Sequence, residues 1–389
     1  MIPYGRQSID EDDINTVVNS LKSNWLTQGP AVPAFEEALT LQSGAKHAVA
    51  VNSATSALHL ACLALGVEKN DTVWTSPNSF VASANCALYC GAEVDFVDVE
   101  PTTGNMDVSA LAAKLAQAKE HGTLPKAVIP VHFAGQSCDM KAIAALAEKY
   151  HFRIIEDASH AIGAKYRDQP VGSCQYSDIT VFSFHPVKII TTMEGGAALT
   201  NNSELARKIQ LMRRHGVTAV QDEMTEVSHG PWYYQQVLLG FNYRMNDVEA
   251  ALGTSQLTKL AQFVEQRNVL AAFYDNVFEH QANITPLDVK SNCYSSYHLY
   301  VVRATRLNSE THKIAIETLR AKGIFAHVHY IPIHLQPFYQ KLGFKKGDYP
   351  HAEQYYHHAI TLPLYPSLTQ EEAQYIVDTT IDVVNQLSS

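Results

Sequence analysis

From His47 onward the chain alternates short apolar runs with helix-length stretches, and this alternation restricts the fold more than any other feature. Residues 47–51 read as a strand and 55–65 as a helix. Residues 72–75 and 94–97 are strands around a helix at 80–89. Strands at 127–131 and 152–155 enclose a helix at 140–150. Parallel neighbours need a crossover, and crossover helices cover the sheet they connect. The βαβα order therefore predicts an α/β fold, a mainly parallel sheet with helices on both faces. The runs at 179–184 and 195–200 stand too close for a crossover helix, so they flank a turn region.

Two further regions frame this core. Ser8 and Glu11 make a capping-box pattern ahead of Ile14, Val17, Val18 and Leu21, which predicts a first amphipathic helix, broken by Asn24 to Pro30. Asn246 and Glu249 repeat the pattern before a long periodic segment reaching about His280. We read that segment as one helix leading into a smaller C-terminal α+β domain. This domain has strands at 297–302 and 324–330, a helix at 313–322, and a last helix capped at Thr369 with Glu372. The expected division is a large domain over 1–245 and a linking helix plus small domain over 246–389. A chain of 389 residues is long for one core, in keeping with two.

Composition narrows the function classes. Apolar residues make 46% and charged residues 17%, which favours packed cores over disorder. A net charge of -10 leaves no basic footprint for nucleic acid, so an anionic substrate needs a local pocket of donors. No apolar stretch approaches the ~20 residues of a membrane helix, and the N-terminus does not read as a signal peptide. Six cysteines without a CxxC pair suit reduced thiols in a cytoplasmic protein.

Five segments carry candidate chemistry. Lys188 follows Ser183-Phe184-His185-Pro186-Val187, just past an apolar run, with no neighbouring charge until Glu194. A semi-buried lysine loses its proton more readily, as a Schiff-base nucleophile must; the bland alternative is a loop lysine reaching water. Asp157 ends an apolar run as Glu156-Asp157-Ala158-Ser159-His160, where open α/β sheets bind ligands. A carboxylate there can keep a pyridine nitrogen protonated, and it can equally cap a helix. Asn52-Ser53-Ala54-Thr55-Ser56 leads a strand into a helix, whose free N–H groups can hold a phosphate. Gly240-Phe241-Asn242-Tyr243-Arg244-Met245 is aromatic, polar and basic, unlike a plain connector. The stretch from Phe325 to His334 holds three histidines, with His327 and His329 on one face of the expected strand. Without a nearby acidic or cysteine ligand, we favour substrate hydrogen bonding over a metal.

These segments, in this order along essentially the whole chain, resemble the sugar aminotransferase branch of the fold-type I pyridoxal-phosphate enzymes, the DegT/DnrJ/EryC1/StrS family. The likeness begins at Ile2 to Gln7 and Trp25 to Pro30 and ends at Tyr330 to His334. Within the family, Trp74 to Pro77, Ala84 to Gly91 and His185 to Lys188 look most like the pseudaminic acid branch, which aminates C4 of a UDP-linked 2-acetamido-2,6-dideoxy-4-hexulose with L-glutamate. The resemblance implies pyridoxal 5'-phosphate as cofactor and no metal. It makes Lys188 the cofactor lysine and proton shuttle, and Asp157 the partner of the ring nitrogen. Thr55, Ser56 and Ser183 fall at the phosphate, His160 near the ring's 3-hydroxyl, and Phe80 where relatives stack an aromatic. Asn242 matches a residue that reaches the neighbouring subunit's phosphate, so a homodimer with shared sites is implied. Tyr4, Leu26, Thr27, His185, Arg244, His329 and Tyr330 fall in substrate-lining segments. One departure is Met193, where relatives usually carry glycine or alanine.

Rival readings are set against this. Some relatives are sugar dehydratases with histidine in place of the lysine; here Lys188 is present. A non-catalytic regulator would not need the whole constellation. A nicotinamide oxidoreductase would need GxGxxG after an early strand, and the sequence has none there.

Overall fold

The computed structural model describes residues 1–388. Strands β1 (His47–Val51), β2 (Thr72–Thr75), β3 (Glu93–Phe96), β4 (Ala127–Ile129), β5 (Arg153–Asp157), β6 (Ile179–Ser183) and β7 (Gly196–Thr200) form one sheet in the order β1-β7-β6-β5-β4-β2-β3. The β6, β5, β4, β2 and β3 neighbours are all parallel, while β7 runs antiparallel to both β6 and β1. The short 184–195 connection, too brief for a crossover, imposes that reversal, as the spacing predicts.

Both faces are covered, so the strands are apolar nearly throughout rather than alternating. Val49, Val73, Ile129, Ile155 and Val181 pack on one face under helices α3 (Ala54–Ala64), α4 (Ala82–Tyr89) and α7 (Ser203–Met212). On the other, Ala50, Phe182 and Leu199 meet α2 (Ala31–Ser43) and α8 (Asp247–Leu257). Val128 and Ile154 lie under α5 (Val108–His121) and α6 (Met140–Tyr150). A second, three-stranded antiparallel sheet, β8 (Thr285–Pro286), β9 (Tyr300–Arg303) and β10 (Ala359–Leu362), shares its own core with α9 (Leu260–Phe278), α10 (Ser309–Ala321) and the terminal α12 (Gln370–Leu387). Between them lies α11 (Pro350–His358). The expected capping box at Thr369 and Glu372 is formed.

Three expectations need correction. The first helix, α1 (Glu11–Lys22), is capped by Asp10 with Asp13, not by Ser8 with Glu11. Ser8 instead offers its carbonyl to Gln256 on α8. The periodic segment after Asn246 is two helices: Lys259 adopts φ -99°, ψ -3° between them, with its ammonium held by Asp10 and Asp13 of α1. Residues 324–330 are not a strand. Ile324 bridges Ile2 and His327 bridges Thr361, so the segment changes partner before a ladder can form. His327 and His329 still stack, with ring centroids 4.7 Å apart.

Candidate active site

The site gathers at the carboxyl ends of β5 and β6. Strand alternation sends Glu156 and Asp157 to opposite faces. Glu156 is buried away from the site, accepting hydrogen bonds from His132 Nε2 (2.7 Å), Ser177 Oγ (2.5 Å) and Thr180 Oγ1 (3.1 Å). Asp157 is buried too, yet its carboxylate accepts only from Ser83 Oγ at 2.6 Å and the Ser159 amide at 3.1 Å. No cation of the described residues forms an ion pair with it, which leaves a buried charge with acceptor capacity to spare.

Lys188 sits in the loop between Ser183 and Gly196. That loop is closed on itself: the Phe184 amide bonds the Gly195 carbonyl at 3.0 Å, and Thr192 N and Thr191 Oγ1 both donate to the Phe184 carbonyl. The Lys188 amine forms no hydrogen bond to the described residues. Burial lowers its pKa to about 8, against the opposing pull of Asp157. The unprotonated amine is therefore abundant near neutrality, as a nucleophile toward an aldehyde requires.

Beside it, Ser53 caps α3. Its hydroxyl accepts from the Ser56 amide at 3.1 Å, and Ser56 Oγ donates to Asn52 Oδ1 at 2.7 Å. Both Ser56 donors are thus used inside the turn, and the first-turn amides of Ala54 and Thr55 carry the open donor positions. Gly196 brings β7 against this turn: a Cβ there would lie 2.4 Å from the Ala54 nitrogen. Ser183 is buried at the end of β6, where the Lys188 loop begins.

The C-terminal region supplies the remaining wall. His160 Nε2 lies 3.1 Å from the Tyr330 hydroxyl, while its Nδ1 is buried without a partner. Burial, then Lys188 and His329, push the His160 pKa well below its usual value, so the ring is neutral. His329 is lowered to about 3 by burial, His327 and Lys188, and shares a 3.0 Å contact with Thr361 Oγ1. Tyr4 packs 5.0 Å from the His329 ring.

The model of the DegT/DnrJ/EryC1/StrS aminotransferase family matches residues 7–380. The chain belongs to this family. It is 40% identical over 387 residues to the UDP-4-amino-4,6-dideoxy-N-acetyl-beta-L-altrosamine transaminase of Campylobacter jejuni, covering 100% of this chain and 98% of that one. Among solved structures, a putative sugar aminotransferase from Streptococcus pneumoniae in its PMP form superimposes with TM-score 0.92 at 31% identity, covering 100% of each chain. The Helicobacter pylori aminotransferase of pseudoaminic acid biosynthesis gives TM-score 0.89 at 34% identity and 99% coverage of each. The protein is accordingly an aminotransferase of fold-type I with pyridoxal phosphate as cofactor.

The residues present fit that cofactor. An amine with a lowered pKa suits its aldehyde, open helix amides suit its phosphate, and a buried carboxylate suits its ring nitrogen. Lys188, Asp157, His160, His329 and Tyr330 are brought together, with Tyr4 against them. Phe80 precedes α4 and is 60% exposed. His185 is exposed, 4.0 Å from Glu194. Leu26 and Thr27 are exposed beside α8, where the Leu26 carbonyl accepts from the Asp247 amide. Asn242 bridges Arg214, and Arg244 lines a cavity with Arg213, Arg214, Gln28 and Gly29. No hydrogen bond or ring contact among the described residues joins Leu26, Thr27, Asn242 or Arg244 to Lys188. Met193 adopts φ 69°, a left-handed conformation that glycine takes more readily than a side-chain-bearing residue. Sequence reading missed Ser83, His298 and Arg267. Ser83 is 74 residues from the carboxylate it serves, and no local pattern marks such a partner.

Proposed function

We propose that this aminotransferase transfers an amino group from L-glutamate to the C4 keto carbon of a UDP-linked 2-acetamido-2,6-dideoxy-4-hexulose, in nucleotide-sugar synthesis of the pseudaminic acid type. The C. jejuni and H. pylori relatives support this substrate class by their names and near-complete coverage. In this reading the protein is cytoplasmic, with residues 1–245 binding the cofactor and 246–389 completing the site. A homodimer brings Asn242 of one copy to the phosphate site of the other, and Arg244 serves the substrate.

The observation that carries the reading is Lys188, an amine with its pKa lowered to about 8 between Asp157 and His160. When bound, pyridoxal phosphate stores the amino group between two half-reactions and serves as an electron sink. Lys188 would hold the cofactor at rest, and its free amine would act as the base and acid that removes the donor's Cα proton in one half-reaction and supplies one to C4 of the sugar in the other. Asp157 keeps a proton on the ring nitrogen. Ala54, Thr55 and Ser183 would hold the phosphate, Phe80 would pack against the ring, and Tyr4, Leu26, Thr27, His185, His329 and Tyr330 would line the sugar pocket. A dehydratase is disfavoured by the presence of Lys188.

The test is the visible absorption of the cofactor-loaded protein before and after L-glutamate. The lysine-bound band should disappear with glutamate and return with the 4-keto sugar. A band unmoved by glutamate would remove the donor assignment. Lys188→Ala should reduce turnover by about 10²–10⁴ or more, and full turnover in that variant would refute the mechanism.

A further inference from the structure

We infer that Tyr330 and His298 are positioning residues that hold His160 as its Nδ1–H tautomer, making one buried N–H available to the ring oxygen of the bound cofactor. This rests on the reading of Lys188, Asp157 and His160 as the cofactor site, and it follows from counting protons.

Burial, with Tyr4 and Asp157 nearby, pushes the Tyr330 phenol far above its usual range, so it keeps its proton. Among the described residues, His160 Nε2, 3.1 Å away, is its hydrogen-bond partner. A partly buried phenol that keeps its proton, with one acceptor of the described residues in reach, donates to it, because an unmade hydrogen bond there is costly. His160 is neutral. A neutral imidazole that accepts at Nε2 carries its hydrogen on Nδ1. That Nδ1 is buried and has no partner among the described residues, which marks it as a donor awaiting a ligand acceptor.

His298 secures the other side. Its ring centroid is 4.4 Å from that of His160, tilted by 49°. Burial, Lys188, His160 and Arg267 keep His298 neutral. Arg267 is itself almost fully buried and forms no ion pair with the described residues. It donates instead to the carbonyls of Tyr297 (3.1 Å), His298 (3.4 Å) and Leu364 (2.8 Å). The backbone beneath His298 is thereby fixed, and the ring occupies space in which water would otherwise help His160 take a second proton. Ser296 Oγ, donating to the His160 carbonyl at 2.9 Å, ties the same segment to His160 from below.

The test uses the full-length protein labelled with ¹⁵N-histidine and free of cofactor, with long-range ¹H–¹⁵N spectra assigned through His160→Gln. The expected wild-type signal for His160 is Nδ1–H, and Tyr330→Phe should convert it to Nε2–H or to a mixture. His298→Leu should make His160 titrate within the pH 5–7 range, where the wild-type ring does not. An Nε2–H wild type, or a tautomer unchanged in Tyr330→Phe, overturns the proposal; a His160 that stays untitrated in His298→Leu removes His298 from it. In the loaded enzyme, Tyr330→Phe should shift the pH midpoint of the cofactor's visible band and weaken cofactor binding about tenfold. If the tautomer switches as expected but wild-type protein forms no cofactor band, the cofactor-site reading fails while the tautomer inference stands.

Discussion

Asp157→Asn should make Lys188 a faster nucleophile in the cofactor-free protein while nearly abolishing turnover in the loaded one. Burial pulls the Lys188 pKa from 10.5 to about 8, and Asp157 is the charge that resists this pull. At pH 7 a pKa near 8 leaves roughly a tenth of the amine unprotonated, about 300-fold more than an ordinary lysine. With the carboxylate neutralised, burial acts unopposed and the pKa falls further. A fall of about one unit would bring half the amine into the free form and quicken its reaction at pH 7 about fivefold. The assay is the rate of imine formation with salicylaldehyde, an aromatic aldehyde with no ring nitrogen for residue 157 to touch, followed by visible absorbance across pH. The wild-type profile should have its midpoint about 8 and the variant a lower one. A wild-type midpoint near 10.5, or a variant midpoint that moves up, would refute the reasoning. Turnover with glutamate should fall by about 10²–10⁴, because the ring nitrogen loses its counter-charge.

Ser83→Ala removes the 2.6 Å hydrogen bond to Asp157. It should cost about 1.5–3 kcal/mol of carboxylate stabilisation, read as a lowered kcat at little-changed cofactor affinity; an unaltered kcat would contradict it. Gly196→Ala places a Cβ 2.4 Å from the Ala54 nitrogen, so β7 must move from the α3 terminus. It should weaken cofactor binding and cost about 1–3 kcal/mol of stability, measured by equilibrium dialysis and urea unfolding. His132 is fully buried against Glu156. Its Nε2–H donates to Glu156 at 2.7 Å and its Nδ1 accepts from the Cys138 amide at 3.2 Å; against burial, the His132 hydrogen bond helps hold Glu156 below its usual 4.5. The Glu156 contribution is present above pH 4.5 and is lost in acid. His132→Ala should destabilise by about 1.5–3 kcal/mol at pH 7, with the gap from wild type narrowing as pH falls below 4.5; a gap constant between pH 7 and pH 3 would sink the assignment.

Much of the architecture is legible because each parallel strand is an apolar run and each crossover a helix-length segment. The strands at β1, β2 and β6 and the helix α6 fall where pattern places them. The failures share a cause. Asp10 displaced Ser8 as a cap because both offer a side-chain oxygen at suitable spacing, and the contacts of α1 with Lys259 and α8 decided between them. The 324–330 run has strand composition, but the edges available to it were single positions on Ile2 and Thr361. Outside these failures, Ser56 keeps the residue type of a phosphate ligand, with its amide and hydroxyl bonded to Ser53 and Asn52 in the turn.

The sequence alone determined the sheet, its crossovers, the lysine past β6 and the acidic end of β5, since periodicity and residue chemistry are properties of neighbours along the chain. Only the tertiary structure decided that Glu156 is held by His132, Ser177 and Thr180, that Ser83 bonds Asp157, and that Arg267 anchors His298 beside His160. Those contacts join residues tens to hundreds of positions apart, and their energies come from burial and partner geometry, which exist only once the two cores have closed around them.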